Sequence, residues 1–367
     1  MLCGFFFPMK KFLLLICGLT ANYAMAQDTI RTYYDLEETM LKEVYVMVNG
    51  QANGPIKRFD EVGNLVQIGH LKDDQKHGDF YELAPNTGDT LRITPFLNNK
   101  RSGLGVSFYS SGKIRQELTY EDNLIQGLVS TYYENGQIED RTTFKNNKPD
   151  GLSEKFYETG DPASKIYYSE GTLDGPYQEF YPNGNPEVIS NYVNGQLEGR
   201  ETVYFENGEI EGVREFRNGE LHGVYTLNYP SGKPHRRGEF KKGLAEGELL
   251  VYYESGEIRE KGQYKKGVAV APYMEYYQSG KLKSKQNFTP QGYPSSKIAY
   301  FENGQINYEI NYSKGEIEGE VRVYREDGSL EEVRRYTNGE LTGKQEFYDE
   351  EGNLIRTESF EKNFKKQ

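Results

Sequence analysis

Tryptophan is absent, and cysteine is confined to Cys3 and Cys17. With both thiols so close to the start, the remainder cannot be stapled by disulfides or hold a zinc ion through thiolates. Apolar residues make up only 36% of the chain, too few for a thick two-layer core. Lys and Arg total 44 against 56 Asp and Glu, a net charge of −12 that disfavours nucleic acid phosphates and anionic lipid heads. The four histidines, His70, His77, His222 and His235, show no metal-ligand spacing and read as surface or loop residues. Ser102-Gly103-Leu104-Gly105 lacks the last glycine and the following helix of a phosphate loop. No pair of carboxylates stands apart from the general charge pattern, and a thin wet sheet buries too little to raise one acid for glycosidase chemistry. Neither a catalytic site, a cofactor nor a metal is expected.

Aromatics and glycine are plentiful: 31 Tyr, 19 Phe and 40 Gly. Disordered chains are poor in aromatics, so this composition points to a thin β structure, with tyrosine on half-wet strands and glycine in turns. The first 26 residues differ. Met9-Lys10-Lys11, the short apolar run Phe12–Cys17 and Ala24-Met25-Ala26 form the three regions of a secretory signal peptide cleaved after Ala26. That run is too short to span a bilayer, and no second long apolar segment follows. Cleavage leaves 42 basic and 56 acidic residues, a net charge of −14, on a chain expected in the periplasm or outside the cell.

Beyond residue 43 a 24-residue period governs the sequence. Turn glycines fall at Gly112, Gly136, Gly160, Gly184, Gly208, Gly232, Gly256, Gly280, Gly304, Gly328 and Gly352. A second series runs through Gly127, Gly151, Gly175, Gly199, Gly223 and Gly247, is broken at Ala271 and Ser295, and resumes at Gly319 and Gly343. A single extra residue lies between Gly78 and Gly88. Eight residues after each turn glycine stands an aromatic: Tyr120, Phe144, Tyr168, Tyr192, Phe216, Phe240, Tyr264, Phe288, Tyr312, Tyr336 and Phe360. Two more aromatics precede the turn, as in Tyr132-Tyr133; Asn228 breaks the first column, and Arg325 and Asp349 end the second.

Two turn signals per unit leave two segments of about seven residues, a common strand length. Asn-Gly at 135–136 predicts a two-residue hairpin turn with positive φ at both centres. Tyr133 then faces Ile138, Gly127 faces Phe144, and Val129 shares their face as the dry side of the sheet. Asn-Gly-x-Leu-x-Gly at 194–199 reads as a longer loop. The expected fold is all-β: one elongated, twisted antiparallel sheet, about 25 strands and on the order of 120 Å long. Residues 27–42 form a lead-in, 43–360 the repeat array, and 361–367 a charged tail suited to blunt the last strand edge.

Paired aromatics, Asn-Gly, Ile or Leu, a later aromatic and Asn-Gly-x-Leu-x-Gly together resemble the MORN repeat. The resemblance is closest to its bacterial variant, often catalogued as antitoxin-like, and covers roughly residues 43–360 in about thirteen repeats. It implies tandem hairpins in a single sheet and a binding or scaffold role rather than catalysis. An exported scaffold for a protein partner is the first functional reading. The alternative is glycan or cell-wall binding through tyrosine columns, or an antitoxin or immunity-type partnership with a toxin; an enzyme ranks behind these. Relaxed repeats at Gln291-Gly292-Tyr293-Pro294-Ser295, and the apolar loop Val268–Pro272 before them, are the places to look for specialisation.

Overall fold

A computed structural model describes residues 27–361 and 364–365. The expected signal peptide and most of the expected charged tail lie outside these residues. Among the described residues there is no helix; every regular element is a strand, and the pairings are antiparallel between strands close in sequence. The protein is all-β and built of tandem hairpins, as the period requires. It divides into two compact units, one ending at Gly103 and one beginning at Leu104.

In the first unit, the lead-in supplies a strand of its own. Gln27–Tyr33 pairs with Leu41–Val48, which pairs in turn with Gln51–Phe59. Gly78–Leu83 and Thr90–Leu97 form a later hairpin. Its loop absorbs the extra residue of the period, because Gly88 N–H reaches back four residues to Ala84 rather than three. Ala52, Ile56, Phe80, Leu83 and Pro95 are buried apolar side chains of this unit. Phe80 lies over Gly69 and meets the edge of Phe96 at 5.1 Å.

In the second unit, two kinds of hairpin end alternate, and their assignment reverses the expectation from sequence. At Asn135-Gly136 only the glycine has positive φ, at +93°. Gly136 N–H donates to Tyr133 C=O and Tyr133 N–H to Gln137 C=O, which defines a three-residue loop closed by a left-handed glycine. The ladder pairs Tyr132, not Tyr133, with Ile138 across a bulge. The two-residue turn sits at the other end. Asn194 (φ 49°) and Gly195 (φ 80°) are both left-handed, and Val193 pairs with Gln196. What read as a longer loop is therefore a tight turn followed by a bulge, with Gly199 at φ 82° opposite Phe216. Asn-Gly suits either geometry; the extra residue on the following strand decides between them.

The pairing of strand glycine with aromatic is as expected: Gly127 faces Phe144, Gly175 faces Tyr192 and Gly223 faces Phe240. Val129, Thr142, Ser153, Ile166, Tyr177 and Ser190 then follow one another across the strands on that same face. The dry side, however, is dry only in stretches. It is lined by small residues such as Thr142, Ser153 and Ser190, and further along it carries the ion pair Arg214–Glu201 at 3.1 Å. A single layer has no facing layer to fill, so small hydroxyl side chains are tolerated where a sandwich would need leucine. Thr142 Oγ1 and Ser153 Oγ satisfy one another at 2.7 Å.

Two glycines separate packing from backbone strain. A Cβ at Gly69 would lie 2.5 Å from the Phe80 ring. At Gly136 it would meet nothing within 4 Å but would have to accept φ +93°. In urea unfolding, Gly69→Ala is expected to cost about 1–3 kcal/mol through overpacking, and Gly136→Ala about 1–2 kcal/mol through the left-handed backbone alone. Restoration by the added variant Phe80→Leu is expected for the first and not for the second. Failure of that rescue would contradict the packing assignment.

Candidate interaction surface

Most of the repeating side chains face neighbouring repeats. Tyr133 stands at the loop end of its hairpin and donates its hydroxyl to Phe156 C=O of the next repeat at 2.8 Å. Tyr109, Tyr157, Tyr181, Tyr229, Tyr253 and Tyr277 do the same, each to the carbonyl 23 residues on, at 2.5–2.8 Å. Where the aromatic column ends, Arg325 takes over the task. Its guanidinium donates to the carbonyls of Tyr348, Leu330 and Asp349. Loop asparagines add a second bond: Asn135, Asn183, Asn207 and Asn303 donate to backbone carbonyls of the next loop.

The tight-turn ends interlock by a different route. Gly195 N–H donates to Leu173 C=O, and Gly219 N–H to Leu197 C=O. The left-handed residue before the glycine donates to a side chain of the preceding repeat: Glu170 to Asp150, Asn194 to Asp174, Asn218 to Glu198 and Asn338 to Glu318. The acidic residue inside Asn-Gly-x-Leu-x-Gly is thus the acceptor for the next turn. Sequence reasoning left that column without a role, although its 24-residue spacing was visible.

The turn glycines from Gly112 to Gly352 are all left-handed, and each donates its N–H within its own loop. The aromatics eight residues on, from Tyr120 to Phe360, lie on the face carrying Val129, several of them between a residue of the strand before and one of the strand after. Phe144 has Gly127 on one side and Pro149 on the other; Tyr192 has Gly175 and Leu197. Tyr177 meets Tyr192, and Tyr225 meets Phe240, with ring centroids 5.4 Å apart. These residues form the body of the fold, and the structure does not gather them into a site.

Tyr132 and its column point to the opposite face. Tyr132 donates to Glu117 at 2.7 Å and Tyr324 to Glu309 at 3.2 Å, each acceptor lying 15 residues earlier. Arg141 occupies the equivalent place beside Phe156, its guanidinium 5.3 Å from the ring centre. At the relaxed repeat the two-residue turn is replaced by a second three-residue loop, in which Gly292 N–H donates to Thr289 C=O. The shortened hairpin leaves an open cavity of ≈ 460 Å³ between Ala269–Pro272 and Asn287–Pro290. Val270 and Tyr293, at the same hairpin end, are exposed.

His70 and His77 meet through the backbone, His77 N–H donating to His70 C=O at 3.0 Å, and His222 and His235 lie in other strands. His235 stacks on Tyr229 with centroids 4.6 Å apart, and burial together with Arg259 and Arg236 holds its pKa below the ordinary value. Among the described residues no three His, Cys, Asp or Glu side chains come together as a metal site.

A family model described as "MORN repeat variant" matches residues 101–122, 125–146, 149–170, 173–194, 197–218, 221–242, 245–266, 271–289, 297–314 and 341–362, more than half of the chain. Residues 315–340 are unmatched, yet Gly319 still faces Tyr336. No curated protein matches. Among solved structures, a TccC3 point-mutant form of the Photorhabdus luminescens Tc holotoxin pore is 12% identical, with 88% of this chain and 21% of that chain covered and a TM-score of 0.17. The TcdB2–TccC3 structure is also 12% identical, with 87% and 19% covered and a TM-score of 0.16. TcdB2–TccC3–Cdc42 is 11% identical, with 89% and 23% covered and a TM-score of 0.17. The chain spans about a fifth of the length of these matched chains, and likeness at such scores carries no argument.

Burial raises the phenols of Tyr177 and Tyr273, and the carboxylates of Glu179 and Glu260, to which they donate, raise them further. A phenol kept protonated by the folded state contributes fully below its unfolded pKa of 10.0, and the contribution is lost as pH rises beyond it. Urea stability is therefore expected to be level up to about pH 9 and to fall above about pH 10. The fall should be shallower in the double variant Tyr177→Phe, Tyr273→Phe. An equally steep fall in that variant would contradict the assignment.

Proposed function

This chain belongs to the MORN repeat variant family, and on that footing we propose that it is an exported, non-enzymatic scaffold that holds a protein partner in the cell envelope. The observation that carries this reading is a division of labour. Side chains repeated at 24-residue intervals at the hairpin ends are spent on stitching hairpins together, whereas on the face carrying Tyr132 the strand residues between the ends change from carboxylate to aliphatic to cation along the array. A surface that varies over a constant frame suits recognition of one elongated partner, as in other repeat arrays. Export is supported by the charged, apolar and Ala-x-Ala regions of residues 9–26. Among the described residues no helix is long and apolar enough to cross a membrane.

Photo-crosslinking from the two faces in intact cells tests this. The expected outcome is a chain beginning at Gln27 by mass spectrometry, recovered from the envelope fraction and linked to a discrete protein through the face carrying Tyr132. Retention on purified envelope glycans with no protein adduct would replace the reading with a glycan-binding one, and recovery of the uncleaved chain from the cytosol would remove export.

A further inference from the structure

Between residues 261 and 297 the chain carries seven lysines and one carboxylate, Glu275, in a protein of net charge −12. The strand register sorts these charges. On the face that carries Tyr132, Arg237 pairs with Leu250, Leu250 with Lys261, Lys261 with Met274, Met274 with Lys285, and Lys285 with Ile298. A row of alternating cations and apolar side chains thus crosses six strands. Thr226 precedes it and Glu309 and Arg322 follow, so the alternation stops at both ends. With strands about 4.8 Å apart, its cations recur about every 10 Å.

Tyr252, Tyr276 and Tyr300 line this row. At two places in the same column a tyrosine finds a carboxylate 15 residues earlier, Tyr132 with Glu117 and Tyr324 with Glu309, whereas the phenylalanines Phe156 and Phe180 have Arg141 and Lys165 there. Here the residues 15 earlier are Arg237, Lys261 and Lys285. Tyr276 is left with the weak thioether acceptor of Met274, at 3.2 Å. Lys261 lies within electrostatic reach of both Tyr252 and Tyr276 and is paired with Glu248. Arg237 and Lys285 form no ion pair among the described residues, and Arg237 is exposed. In these three repeats a phenol lies beside a cation where Tyr132 and Tyr324 have a carboxylate, so phenol and cation converge on a place that a carboxylate from outside would fill.

We propose that the row from Arg237 to Ile298 is the docking surface for an acidic protein segment whose carboxylates lie about 10 Å apart with apolar side chains between them. Carboxylates accept from the phenols and pair with Arg237, Lys261 and Lys285, while Leu250, Met274 and Ile298 cover the intervening apolar groups. A purely anionic polymer would leave those three aliphatic side chains unused. A polyproline-II segment, with three residues per turn and a rise of about 3.1 Å, returns every third side chain to the same side after about 9 Å, which matches a carboxylate at every third position. The proposal rests on the scaffold reading and names its partner class.

The test uses the chain from Gln27 onward and a fluorescent peptide of repeated Glu-Leu-Ser triplets, read by anisotropy. Binding is expected to weaken by about tenfold or more when Gln replaces Glu in the peptide, and again when Ser replaces Leu. The variant Arg237→Glu, Lys261→Glu, Lys285→Glu should lose binding by a similar factor with unchanged circular dichroism. Because reversal also alters the long-range field, Arg237→Gln, Lys261→Gln, Lys285→Gln is measured beside it and should weaken binding as well. Equal binding of the Gln or Ser peptides, indifference to both variants, or preference for phosphatidylglycerol vesicles over the peptide would overturn the proposal. If these peptides fail while in-cell crosslinks still map to another part of the array, the scaffold reading stands and only this surface falls.

Discussion

A sheet one layer thick has nothing to pack against, and this constraint shapes the whole protein. Burial, the usual source of cohesion, is confined to few side chains, such as Val129, Val251 and Val321, and much of the same face is serine, threonine or paired charge. Each hairpin therefore depends on its neighbours. The backbone ladder joins adjacent strands, but at a hairpin end the chain turns away and leaves its carbonyls and amides without ladder partners. Here those groups are answered by the next repeat: by the Tyr133-type hydroxyls and loop asparagines at one edge, and by turn amides and acceptors such as Glu198 at the other.

Seen this way, the period is a requirement of distance. A hydroxyl that must reach the carbonyl 23 residues on fixes the length of each unit that uses one, and a residue inserted within a strand would disturb the bonds that span it. The extra residue near Ala84–Asp89 is accommodated in a loop. Substitution is tolerated where the same job is done by other means. Arg325 serves three carbonyls in place of one tyrosine hydroxyl. Freedom from these duties is found on the face carrying Tyr132, and there the chemistry drifts from tyrosine–carboxylate pairs to the cation-rich row between Arg237 and Ile298.

Much of this frame was legible in the residues. Glycine and aromatic columns in one phase require tandem hairpins, and the pairing of Gly127 with Phe144 follows from alternation and strand length. The turn types were not legible, because Asn135-Gly136 and Asn194-Gly195 carry the same dipeptide. What distinguishes them is a bulge that shifts the register by one residue. The role of Tyr133 was hidden for another reason: its target is a backbone carbonyl, which has no sequence signature. The lysine-rich stretch from 261 to 297 was visible throughout but disappears when charge is averaged over an acidic chain; a windowed charge count aligned to the period would have found it.

The central claim is that hydroxyl-to-carbonyl bonds between repeats hold the layer together. Replacing Tyr109, Tyr133, Tyr157 and Tyr181 by phenylalanine removes four such bonds and nothing else, since Phe205 and Phe301 already occupy this column elsewhere. Urea unfolding of the fourfold variant is the direct measurement. The account predicts a loss of several kcal/mol, about 1 kcal/mol for each bond, with earlier hydrogen exchange in strands 124–180. Stability and exchange equal to those of the parent would show that the ladder and the buried faces suffice, and would contradict the account.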